Sequence, residues 1–319
     1  MRPYLDLLQR ILDHGHWQDN RTGIRTCAIS GASLRFDLEQ GFPAVTTRRL
    51  PFKTFMGELV AFLRGSTDAG EFRALGSKIW DANANQNAGW LANPHRRGED
   101  DLGRIYGAQW RDWQGWRAAR PGSAELTHAL ANGWERRGVL DDGQIMLARR
   151  IDQLRDCLDK LVQQPTDRRI LFHAWNPAEL DQMALPPCHL LYQFNADAAA
   201  RTLSLCLYQR SVDAPLGLVG NLAEAAALLT LFARLSGFTP AFLSWFGGDV
   251  HIYENQLEMV RSQLARAPFP APRLELSARI PAYAETGVYA PEWLERVEPG
   301  DFMLQGYQHH PPLTAPMAV

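Results

Sequence analysis

The run Ala184-Leu185-Pro186-Pro187-Cys188-His189 is followed, about twenty residues on, by Gln209-Arg210-Ser211-Val212-Asp213. Leu190 to Phe194 and Leu203 to Tyr208, between and beside these strings, read as strands rich in apolar residues. Leu222 to Leu235 follows as a nearly continuous apolar run, which predicts a buried central helix. Strands packed on such a helix define an α+β class. The same stretch also carries chemistry. A thiol nucleophile reacts as its thiolate, and a nearby Arg favours that charged form. Arg210 and Ser211 suit a phosphate, through a planar cationic fork and a hydroxyl donor. Together they suggest covalent attack on a phosphorylated small molecule.

The pattern extends outward. Tyr4, Leu7, Leu8, Ile11 and Leu12 recur at helical spacing, with Gly15 able to end that helix. Asn20-Arg21-Thr22-Gly23 reads as a turn before a strand from Cys27 to Leu38. Phe52 to Leu63 predicts a helix closed by Gly65, and Ile151 to Val162 another, stopped near Pro165. Ile170 to Trp175, Leu243 to Phe246 and Leu274 to Leu276 are further strands. The segments 83–101 and 116–144 are rich in Gly, Asn, Arg and Asp, and read as surface insertions in one domain spanning 1–319.

Composition narrows the class. The 319 residues are 46% hydrophobic and 21% charged with a net charge of −2, which is ordinary for a globular protein. That balance excludes a dedicated nucleic-acid binder, so phosphate recognition must be local. The four cysteines lack CxxC or framework spacing, which fits a reducing compartment and no structural zinc. His309-His310 lacks spaced companion ligands, so no metal is expected. Without a signal-like N-terminus or an apolar stretch of membrane length, the expected location is cytoplasmic, with no membrane partner.

In order along the chain, several strings resemble thymidylate synthase. They are Asp19-Asn20-Arg21-Thr22-Gly23, Gly41-Phe42-Pro43, Thr46-Thr47, Ile79-Trp80-Asp81 and Tyr106-Gly107-Ala108-Gln109-Trp110-Arg111. Asp167-Arg168-Arg169, Ala174-Trp175-Asn176, Leu185 to His189, Gln209 to Ser211 with Asp213, and Asn221 continue the order. Gly248 to Tyr253 and the ending Ala315-Pro316-Met317-Ala318-Val319 complete it. The match covers nearly the whole chain apart from the insertions.

The resemblance implies a mixed β-sheet at the interface of a homodimer, with packed helices and shared active sites. It implies conversion of dUMP to dTMP, with 5,10-methylenetetrahydrofolate as carbon donor and reductant. Cys188 would add to C6 of uracil, making C5 a nucleophile. Arg21, Gln209, Arg210, Ser211 and Val212 match substrate-binding positions, with Arg168 and Arg169 supplied by the partner subunit. Asn221 would meet N3–H and O4 of uracil, since an amide both accepts and donates. As a sequence feature alone, Asn221 also reads as a helix N-cap. His251 and Tyr253 match residues holding the sugar hydroxyl. Asp213, Ile79, Trp80, Leu216, Gly217 and Ala318 match folate contacts, and Ala318-Val319 a closing lid. Glu58 would act as general acid/base through water, Tyr106 would assist proton removal from C5, and Trp80 would shield the methylene intermediate.

Three positions depart from the family pattern. Val219-Gly220 stands where Pro-Phe is common, removing a ring from the expected folate wall. Pro51 stands where a folate-contacting His is common, and Asn83 where a second Trp often follows Trp80. These motivate a rival, a dUMP 5-hydroxymethylase in which water replaces hydride. A non-catalytic nucleotide-binding regulator is a third reading, opposed by the presence of Cys188, Glu58 and Tyr106. A papain-like hydrolase fits poorly, because the cysteine lacks that local signature and the arginines would go unexplained.

Overall fold

A computed structural model describes residues 1–20 and 22–315. Arg21 and Pro316 to Val319 lie outside the described residues, and with them the substrate role of Arg21 and the lid of Ala318 and Val319. The fold is α+β. Six strands form a mixed sheet in the order His16–Gln18, Thr26–Asp37, Thr239–Tyr253, Thr202–Asp213, His189–Asp197, Leu171–His173. Its one parallel pair joins Thr202–Asp213 to Thr239–Tyr253, and the other neighbours are antiparallel.

The spacing between Cys188 and Arg210 now has a cause. Strands His189–Asp197 and Thr202–Asp213 form a hairpin, turned where Asp197 accepts from the amides of Ala199 and Ala200. At its open end the Arg210 amide donates to the Cys188 carbonyl at 2.9 Å. Pairing therefore brings the thiol and the cation together. The register shifts between His189 and Leu191, a bulge of the kind that re-aims side chains beside sites.

The apolar run after this hairpin becomes the helix Gly217–Ser236, ended by Gly237 in the left-handed conformation at φ 79°. It starts five residues before the apolar run, so Asn221 lies inside the helix and is not its N-cap; Leu216 holds that position. This helix is long and apolar enough to cross a membrane, contrary to the sequence expectation that no such stretch exists. It is a core helix instead: Leu218, Leu222, Leu229 and Phe232 are fully buried beneath the sheet.

The helix Phe52–Leu63 packs on it. Phe55, Glu58 and Phe62 share one face at i, i+3 and i+7. Phe62 anchors an aromatic cluster with Phe72, Trp80, Tyr106 and Trp110, with centroids 4.9–6.0 Å apart. The segment 116–144 lies within a unit built on a three-stranded sheet, Trp113–Ala119, Glu135–Val139 and Ile145–Ile151, with a small apolar cluster of its own. In the segment 83–101, Asp100 is gripped by Arg73, which also bonds Asp81 at 2.9 Å.

Gly220 is explained by its neighbour. A Cβ there would stand 2.1 Å from Cε1 and 2.4 Å from Cζ of Phe55. The ring missing from position 220 is thus replaced by a ring entering from the adjacent helix. Gly220→Ala should lower stability in urea unfolding by up to about 2 kcal/mol. Overpacking costs about 1–3 kcal/mol, and helix propensity returns about 1 kcal/mol. Combined with Phe55→Leu, the alanine should cost less than in the parent; equal cost in both backgrounds would refute the contact.

Candidate active site

One cavity of about 1020 Å³ gathers most of the sequence-identified residues. Cys188, Glu58, Arg210, Ser211, Val212 and Asp213 line it, as do Asn221, His251, Tyr253, Ile79, Leu216 and Gly217. Arg168 and Arg169 do not. They sit on a separate exposed loop at 163–169, where Asp167 accepts from Arg169 at 2.9 Å.

At the thiol end, Arg210 Nη2 lies 3.6 Å from Cys188 Sγ. The guanidinium is aimed by its own bonds to the carbonyls of Pro187 at 2.7 Å and Pro186 at 3.0 Å, and rests over the Trp175 ring. The Cys188 amide donates to the Tyr106 hydroxyl at 2.6 Å. Tyr106 in turn stacks on His189 at 4.2 Å. His189 is not the base: burial pushes it down to about 3, so it stays neutral.

At the sugar end, His251 Nδ1 meets Asp249 Oδ1 at 2.5 Å, and the Tyr253 ring abuts His251 edge-on at 5.1 Å. The bond with His251 holds Asp249 below the usual carboxylate range. Asp213 accepts from the Leu216 amide at 3.0 Å and from Gln256 at 2.7 Å. Burial nevertheless raises its carboxyl above the ordinary value.

Glu58 projects into the cavity while only 5% exposed, and accepts from the Trp80 indole at 2.8 Å. Burial raises it from the ordinary 4.5 to about 7, near the value a neutral-pH acid/base needs. Trp80 itself stands behind Glu58, buried, and is not among the residues lining the cavity. Gln209 also differs from its expected place. It is buried off the cavity and grips Asn221, donating to Oδ1 at 2.9 Å.

A sequence model of the thymidylate synthase family matches residues 2–319. The chain belongs to the thymidylate synthase family. It is 58% identical over 323 residues to the thymidylate synthase of Bordetella parapertussis and 55% identical to that of Pseudomonas putida. It is 38% identical over 322 residues to that of Idiomarina loihiensis, and each of these alignments covers both chains in full. Thymidylate synthases are methyltransferases of dTMP biosynthesis, so the chain is an enzyme of that class.

Several cavity residues escaped the sequence reading. Phe55 lines the wall, and Arg48 lines the floor with an Nε that has no hydrogen-bond partner among the described residues. Asp249 escaped too, as did Glu224, which lies behind Asn221. The signal for Glu224 was present: it is the only acid in the apolar helix, three residues after Asn221.

Two outcomes follow. Arg210→Gln should slow alkylation of Cys188 by iodoacetamide at neutral pH by about tenfold, since a cation beside sulfur favours thiolate. An unchanged rate would remove Arg210 from thiol activation. Glu58, raised in the folded state, contributes stability that is fully present below pH 4.5 and lost as pH rises through about 7. Glu58→Gln should therefore gain on the parent by about 1–3 kcal/mol in urea unfolding between pH 5 and pH 8. Parallel stability curves would contradict that burial cost.

Proposed function

We propose that the protein converts dUMP to dTMP with 5,10-methylenetetrahydrofolate as carbon and hydride donor, releasing dihydrofolate. The observation that carries this reading is one cavity holding a thiol 3.6 Å from a guanidinium together with an amide of fixed polarity. Cys188 attacks C6 of the uracil, and Arg210 balances the charge of its thiolate. Ser211 and Arg210 hold the phosphate, joined by Arg21. Asn221 accepts from N3–H and donates to O4. His251 and Tyr253 hold the sugar hydroxyl.

The cavity also suits a folate. Phe55, Ile79, Pro51 and Leu216 give it an apolar wall, while Asp213 and Arg48 line it with polar side chains. When bound, the folate supplies the one-carbon unit and the hydride. Around it, Glu58 exchanges protons with the pyrimidine through water, and Tyr106 assists at C5. Trp80 holds Glu58 in place through its indole N–H. Ala318 and Val319 close the site against water.

The whole chain, 1–319, acts as one catalytic domain with two insertions, in the cytoplasm. It works as a homodimer in which Arg168 and Arg169 of each subunit serve the other's phosphate site. Their separation from Cys188 within one chain supports this. So do Tyr208 and Phe246, exposed aromatics paired side by side on the sheet.

The test is one reaction of dUMP with methylenetetrahydrofolate, following dihydrofolate absorbance and the mass of the nucleotide. Dihydrofolate with dTMP is expected, and Cys188→Ser should abolish both. Hydroxymethyl-dUMP without dihydrofolate would overturn hydride transfer. Mixing Arg168→Ala with Cys188→Ala subunits should restore activity that neither has alone.

A further inference from the structure

We propose that Glu224 is a positioning residue serving both ends of the site: its Oε2 holds the Asn221 amide, while its Oε1 carries a proton toward Glu58. This rests on the dUMP reading above only for its consequences in catalysis.

The polarity begins at Trp245. An indole N–H can only donate, and it lies 3.0 Å from Gln209 Oε1. The Gln209 oxygen is therefore committed to Trp245, and its NH2 must face Asn221 Oδ1, 2.9 Å away. Asn221 must then present its own NH2 to Glu224 Oε2, at 3.2 Å. Each amide orientation follows from the previous one. Asn221 is left with one acceptor site and one N–H for a base edge, the pair that uracil satisfies and cytosine does not.

Beyond Glu224 the chain meets a second acid. Glu224 Oε1 is buried with no hydrogen-bond partner among the described residues, and the Glu224 and Glu58 carboxyl groups lie within interaction range of each other. Two buried carboxylates in contact cannot both ionise, so one holds a proton between them. Each acid accepts one N–H, Glu58 from Trp80 and Glu224 from Asn221, but only Glu58 opens on the cavity, where its charge can be solvated. The proton therefore belongs to Glu224, whose hydroxyl donates to Glu58. Burial and the Glu58 charge both hold the Glu224 carboxyl well above its usual range. The other titratable groups facing the pair are Tyr106 and Tyr192, both held neutral by burial, with neutral His189 bonded to Tyr192 at 2.7 Å.

Glu224→Leu removes both contacts, and Glu224→Gln keeps an acceptor for Asn221 and an N–H for Glu58 but no transferable proton. Infrared spectra of the ligand-free enzyme at pH 8 should contain a protonated-carboxyl band that Glu224→Gln loses. A wild-type spectrum without that band overturns the proposal. In turnover, Glu224→Leu should move the acidic midpoint of kcat upward by about one unit, a tenfold loss below it. It should also lower the ratio of dUMP to dCMP affinity by about tenfold, and Glu224→Gln should restore that ratio. A kcat that falls equally at every pH, with the affinity ratio unmoved, would reduce Glu224 to packing. Wild-type enzyme that shows the band but does not bind dUMP would defeat the dUMP reading and leave the proton pair standing.

Discussion

The close approach of the helices Phe52–Leu63 and Gly217–Ser236 is the constraint on which the site depends. A glycine permits it. A side chain at Gly220 would strike the Phe55 ring. With that face bare, the helices settle close enough for Glu58 on one to meet Glu224 on the other. Among the described residues, neither acid has a cationic partner there. Burying two bare carboxylates would be prohibitive, so the contact exists only in a protonation state that one shared proton makes tolerable. Helix packing thus dictates acid chemistry.

The cavity is electrically divided as a result. At one end Arg210 sits beside Cys188, where negative charge is wanted. At the other, burial without cations keeps protons on acids at neutral pH. Groups of like chemistry are pushed apart by surroundings, which is how one pocket can hold a nucleophile and a proton donor together. Tyr106 joins the two ends. Its hydroxyl takes the Cys188 amide, and its ring lies against Phe62, one turn along the helix from Glu58.

Much of this was legible in the sequence. Periodicity located the hairpin strands and both long helices, because each is set by local apolar spacing. Cys188, Arg210, Ser211, Asn221, His251 and Tyr253 were found as motif residues, and they converge on one cavity. What stayed hidden depends on partners distant in the chain. Gln209 was read as a substrate contact because its neighbours are; that it turns inward follows from Trp245, 36 residues away. Asn221 read as an N-cap because the apolar run begins after it, whereas Gly217 to Gly220 continue the helix backward. Glu224 read as one more helix residue, since nothing local shows that Glu58 waits opposite.

The departure at Gly220 carries the same lesson about space. Position by position, a ring is missing from the expected folate wall. Phe55 stands over the vacancy and lines the same cavity, so the apolar surface is conserved although its chain position is not. Exclusion of water depends on filled volume and apolar area, not on which helix provides the ring. The Val219-Gly220 pair therefore gives no reason by itself to expect water to replace hydride.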